Sequence, residues 1–132
     1  MKNLVMLEVV EQFKKLAALE AKQTNGVLPL GSQARLRLHR IQKSINSSAE
    51  AFEQARLSLF KEFGTKDEAN DSYTIPVEKL AGFKQEFNQL LEADAEVSVT
   101  PIHDEVLAAA GVPLDIILGL ARAGVVSEGG TP

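Results

Sequence analysis

The stretch LGSQARLRLHRIQKSINSSAEAFEQARLSLFKEF, residues 30–63, decides how the rest of the chain must be arranged. Apolar or small residues fall at Ala34, Leu38, Ile41, Ile45, Ser48, Phe52, Ala55, Leu59 and Phe63, always three or four apart. That spacing keeps one face of an α-helix apolar along the whole stretch. No proline interrupts it, and Gly31 and Gly64 stand at its two ends, where helices stop. At 1.5 Å per residue the helix would be about 50 Å long, more than the core of so small a domain needs. Other segments must therefore pack along it.

Upstream, residues 4–23 read as a first helix whose stripe runs through Met6, Val9, Val10, Phe13, Leu16 and Ala17. Thr24-Asn25-Gly26 is a turn signal, with Gly26 supplying a positive φ past the helix end. Pro29 biases Leu28 away from helical geometry, and the short connection predicts an antiparallel hairpin. The first half of the long helix carries Arg35, Arg37, His39, Arg40 and Lys43 with no acid among them. Two readings are open. Arg35, Arg37, Arg40 and Lys43 could form a patch for nucleic acid or another polyanion. Alternatively, the face is solvated and met by the first helix, with Glu20 level with Arg35 and Glu11 with Lys43. Surface pairs of that kind are worth about 0 to 1 kcal/mol each.

Downstream, Thr65 to Ser72 holds no apolar residue larger than alanine and reads as a mobile loop. Tyr73-Thr74-Ile75 reads as extended ahead of Pro76. A third helix then runs to about Asp94, with Val77, Leu80, Phe83, Phe87, Leu90 and Leu91 on its apolar face and Glu78 favouring its dipole. Phe52, Phe60, Phe63, Phe83 and Phe87 are expected to pack together as core. Glu96-Val97-Ser98-Val99-Thr100 alternates with the period of a strand, to be paired with Tyr73–Ile75 or with the edge of a neighbouring subunit.

Beyond Pro101, residues 104–110 and 113–123 read as two short helices separated at Gly111-Val112-Pro113. They are rich in alanine and glycine and carry Val106, Leu107, Leu114 and Ile116 to Leu118. So much aliphatic surface either closes the end of the hairpin or docks on a partner. Val97, Val99, Val106, Leu114, Ile117 and Leu118 are the candidate partner interface. On that reading, a chain ended at Thr100 would keep a folded hairpin and lose assembly. The expected fold is mainly α. It is an antiparallel helical hairpin on a long central helix, with a third helix alongside, one or two very short strands and short C-terminal helices. It forms one domain over residues 1–126, with a flexible polar tail at 127–132.

The chain has 132 residues, 45% hydrophobic and 24% charged, as expected of one ordinary globular domain. Its net charge of −4 argues against a general nucleic-acid binder. Without cysteine there is no disulfide framework, thiol nucleophile or zinc-thiolate site. The apolar run Leu4 to Leu7 is too short for a signal peptide, and Pro113, Asp115 and Arg122 break up the region 106–126, so no membrane span is expected. The two histidines, His39 and His103, complete no catalytic or metal constellation. Asp104 and Glu105 suit the first turn of the helix they begin. Glu50 and Glu53 lie on the outer face of the long helix. No catalytic, cofactor-binding or metal residue is assigned, and an enzyme is not expected.

One resemblance stands on particular residues. These are Leu28-Pro29 before the long helix, Ala51-Phe52-Glu53-Gln54-Ala55-Arg56 in its middle, Phe63-Gly64 at its end, and Tyr73 to Leu80. Phe83 to Leu91 and Pro113-Leu114-Asp115 continue it. Across residues 28–120 this layout resembles a group of small tailed-bacteriophage proteins of unknown function with a long central helix. The resemblance implies a phage origin and no known catalytic residues, and it leaves the role open. The elongated hairpin, the apolar small-residue C-terminal segment, the unpaired strand and the absence of a site lead to the expectation of a non-enzymatic phage protein in contact with other phage proteins or further copies of itself, in the host cytoplasm during assembly or in the virion, as a head or tail component or an assembly accessory. The alternative is a phage-encoded regulator or inhibitor acting on nucleic acid or on a host defence protein.

Overall fold

A computed structural model describes residues 1–127 of the chain. Helix α1 spans Asn3–Ala21 and helix α2 spans Ser32–Phe63, the long helix that the apolar spacing predicts. A short antiparallel ladder follows, β1 (Thr65–Asp67) against β2 (Ser72–Thr74). Then come α3 (Val77–Glu92), β3 (Ile102–His103), α4 (Asp104–Ala109), α5 (Leu114–Arg122) and β4 (Val126–Ser127). The protein is thus mainly helical, with an antiparallel hairpin on a long helix.

The length of α2 is used by two helices in succession. Met6, Val9, Phe13 and Leu16 of α1 bury themselves in one core with Leu38, Ile41 and Ile45 from the first half of α2. Helix α3 covers the second half. The Phe87 ring meets Phe52 at 6.4 Å, and Phe83 meets Phe60 at 5.1 Å and Phe63 at 6.2 Å. Ring pairs of this geometry add about 0.5–1.5 kcal/mol each beyond the area they bury. Gly82 lets the two helices approach, since a Cβ there would lie 3.1 Å from the Phe63 ring. Where α1 begins and α3 ends, backbone bonds join them. The Asn3 N–H donates to the Ala93 carbonyl at 2.9 Å and the Ala95 N–H to the Met1 carbonyl at 2.8 Å. The buried Asn3 amide donates to the Leu90 carbonyl at 2.8 Å, which gives this buried polar group a partner.

Several expectations are corrected. The polar run after Gly64 is a hairpin, because its own side chains build the turn. The Asp67 carboxylate accepts from the Ala69 N–H and the Asn70 amide, Lys66 pairs with Asp71 at 3.1 Å, and Tyr73 packs on Phe60. Tyr73 is therefore already paired, and residues 96–100 form no strand. Instead this segment is a strap along the edge of α2. Ser48 Oγ donates to the Ala95 carbonyl at 2.6 Å, and the Ser98 N–H donates to Ser44 Oγ at 3.0 Å. The alternation at 96–100 arises because Val97 and Val99 turn toward the core while Glu96, Ser98 and Thr100 stay exposed. Val77, expected on the apolar face of α3, is 86% exposed at the helix start.

The C-terminal segment closes the hairpin. Ile102, Leu107, Val112, Ile116, Ile117, Leu120, Val125 and Val126 belong to the same core as α1 and α2, and α5 packs on α1. Parallel pairing of β3 with β4 brings Ile102 to Val126 and His103 to Ser127. Ser127, assigned to the tail, therefore sits in a strand, and residues 128–132 lie outside the described residues. Among the described residues no helix is long and apolar enough to cross a membrane.

Candidate functional site

The basic half of α2 divides into two sets with different duties. Arg35 is taken up by the connection to α1, its guanidinium donating to the carbonyls of Leu28 at 2.8 Å and Leu30 at 3.2 Å. Those donations satisfy carbonyls that the turn leaves without a helical partner. The anticipated pairs Glu20–Arg35 and Glu11–Lys43 do not form; Glu11 instead meets Lys14 on its own helix at 3.0 Å. Lys43 is exposed, and neither it nor Arg37 or Arg40 has an ion-pair partner among the described residues.

Arg37 and Arg40, one helical turn apart, face the strap. Together with Ile41, Ser98 and Thr100 they line a cavity of about 270 Å³. A neighbouring cavity of about 430 Å³ shares Arg37 and is walled by residues 31–34, Ile102, His103 and Val106. The register that aligns them is set locally by the bond from the Ser98 N–H to Ser44. Residues 98 and 100 then lie on the same side of an extended chain. Sequence reasoning singled out the arginines and missed the two hydroxyls. The signal was the alternation at 96–100, which shows the polar side of the strap but not which helix it follows.

The candidate interface residues scatter. Leu114 is 68% exposed and Leu118 47% exposed, one turn apart on α5. Ile117, between them in sequence, is 5% exposed in the core and has no surface to offer a partner. Val97, Val99 and Val106 are half-buried against the core. The structure therefore brings together only Leu114 and Leu118 of the six.

Ser127 Oγ and His103 Nδ1 lie 3.2 Å apart, a distance that suits a nucleophile and its base. They are also register partners across β3 and β4, and His103 is exposed, so the contact reads as a cross-strand bond. Among the described residues no group of three His, Cys, Asp or Glu side chains is placed to hold a metal. On the outer face of α2 the Glu53 carboxyl is held below its ordinary value by hydrogen bonds from Arg56, whose guanidinium also lies 5.2 Å over the Phe60 ring. No protein-family model, curated protein or solved structure matches the chain.

Proposed function

We propose that the protein acts through contact with other proteins rather than through catalysis, as a small virion component or assembly accessory of a tailed phage. The observation that carries the protein-contact part is the exposed pair Leu114 and Leu118 on α5. That helix is anchored from behind by Ile116, Ile117 and Leu120, so the pair is presented on a fixed support. Aliphatic side chains held rigidly in solvent are the raw material of an interface core. The phage part is supported by the resemblance over residues 28–120.

The test is sedimentation of the purified chain across a concentration series, beside immunodetection in purified phage particles. Self-association or particle incorporation is expected, and the double variant Leu114→Asp with Leu118→Asp is expected to lose it while melting at an unchanged temperature. A wild-type chain that stays monomeric and is absent from particles refutes the reading.

Arg37, Arg40 and Lys43, without ion-pair partners among the described residues, favour a second reading, a regulator or inhibitor acting on nucleic acid or on a host defence protein. Its mark would be binding of duplex or single strands that falls steeply with salt.

A further inference from the structure

Of the four arginines on α2, two are held within the protein: Arg35 by loop carbonyls and Arg56 by Glu53. The remaining two, Arg37 and Arg40, stand side by side without a carboxylate partner among the described residues, facing the hydroxyl-bearing side of the strap. Arg37 is half-buried and Arg40 is exposed, and neither has an ion-pair partner among the described residues. Ile41 forms an apolar wall behind them. The hydroxyls of Ser98 and Thr100 add donors that turn freely to suit an acceptor, and neither has a partner among the described residues.

We propose that this notch binds one terminal phosphate group, carried as a phosphate monoester. Two guanidinium forks and two hydroxyls supply donors from both walls of the notch. A phosphate accepts from several directions at once, and each arginine can engage it through two parallel N–H donors. The cavity of about 270 Å³ has room for one such group and its first waters, not for a strand of nucleic acid. Further along α2 only Lys43 continues the positive charge before Glu50 and Glu53 reverse it. A run of backbone phosphates would therefore find no track to follow. The inference is independent of the protein-contact reading, since Leu114 and Leu118 take no part in the notch.

The experiment is a titration of the isotope-labelled full chain with inorganic phosphate and, separately, with O-phosphoserine at low ionic strength. The readouts are the backbone amide signals of Ser98 and Thr100 and the side-chain Nε–H signals of Arg37 and Arg40. Both probes are expected to shift these signals saturably, with the monoester binding at least as well as the free ion, while chloride at equal ionic strength leaves them in place. Arg37→Gln and Arg40→Gln are each expected to weaken binding by about tenfold or more, as loss of charge-assisted hydrogen bonds implies. Arg40→Lys keeps the charge and loses the fork, and is expected to recover only part of it. Melting temperatures of the variants check that the fold is intact.

Signals that do not move, or that move linearly without saturation, overturn the proposal. So does binding that survives both glutamine variants. A single-stranded oligonucleotide that displaces both probes and depends on Lys43 as strongly as on Arg40 also overturns it, in favour of a nucleic-acid backbone.

Discussion

Two neighbours on α5 give the sharpest check on the placement of the C-terminal segment. Ile117 is 5% exposed and Leu118 is 47% exposed, so truncating each to alanine removes similar chemistry from opposite environments. Ile117→Ala deletes three buried carbons, worth about 2.4 kcal/mol at roughly 0.8 kcal/mol per CH₂. Incomplete collapse of the site adds a cavity cost, which brings the expected loss to about 3–4 kcal/mol, within the usual range of about 2–5. Leu118→Ala should cost under about 1 kcal/mol, because half its surface is already wet. Urea denaturation followed by helix circular dichroism separates the two. With a slope of roughly 1.5 kcal/mol per molar, Ile117→Ala shifts the midpoint down by about 2 M, and Leu118→Ala by less than about 0.7 M. Ending the chain at Thr100 removes Ile102, Leu107, Val112 and all of α5 from the core, and is expected to abolish the cooperative transition. Equal midpoint shifts for the two alanine variants, or a truncated chain that still melts as a folded helical hairpin, would refute the assignment of this segment to the core.

Gly64→Ala is expected to destabilise by about 1–3 kcal/mol, since a Cβ there would lie 2.7 Å from the Phe60 carbonyl oxygen; Gly31→Ala, with open space around it, serves as the neutral control in the same urea series. Asp94 is exposed and its carboxyl is held below its ordinary value, first by the hydrogen bond from the terminal ammonium at 3.2 Å and then by the Glu96 backbone. A depressed folded-state pKa contributes stability that is complete above the unfolded value, about 3.9, and vanishes as pH falls through the folded one. The melting temperatures of wild type and Asp94→Asn should therefore differ above about pH 5 and converge toward about pH 2. A difference that persists undiminished to acid pH would mean that the ammonium pair is not its source.

The long helix, the hairpin before it, the aromatic contacts along it and the two short C-terminal helices were all legible, because each is a local periodicity. Apolar spacing of three and four at residues 34–63 admits one backbone, and Gly26, with φ at 76°, takes the left-handed turn past the end of the first helix as its sequence position implies. Alternation at 96–100 was legible too, but a period of two states only that one side is covered, not by what. Here the cover is the edge of α2 and the core beneath it, fixed by hydrogen bonds to Ser44 and Ser48, 54 and 47 residues away in sequence, which no local pattern encodes.

The same limit applies to the sites. Residue types marked Arg35, Arg37, Arg40 and Lys43 as one basic set, and Leu114, Ile117 and Leu118 as one apolar set. Only the packed chain separates Arg35, bound to two loop carbonyls, from the arginines of the notch, and Ile117 from its exposed neighbours. Adjacent positions on a short helix differ by about 100° in direction, and the side that becomes interior is decided by where α1 lies. Composition and periodicity determined which elements form. Which charges find partners and which aliphatic side chains remain in water was decided only when α5 and the strap closed on α1 and α2, because pairing and burial depend on neighbours that are distant along the chain.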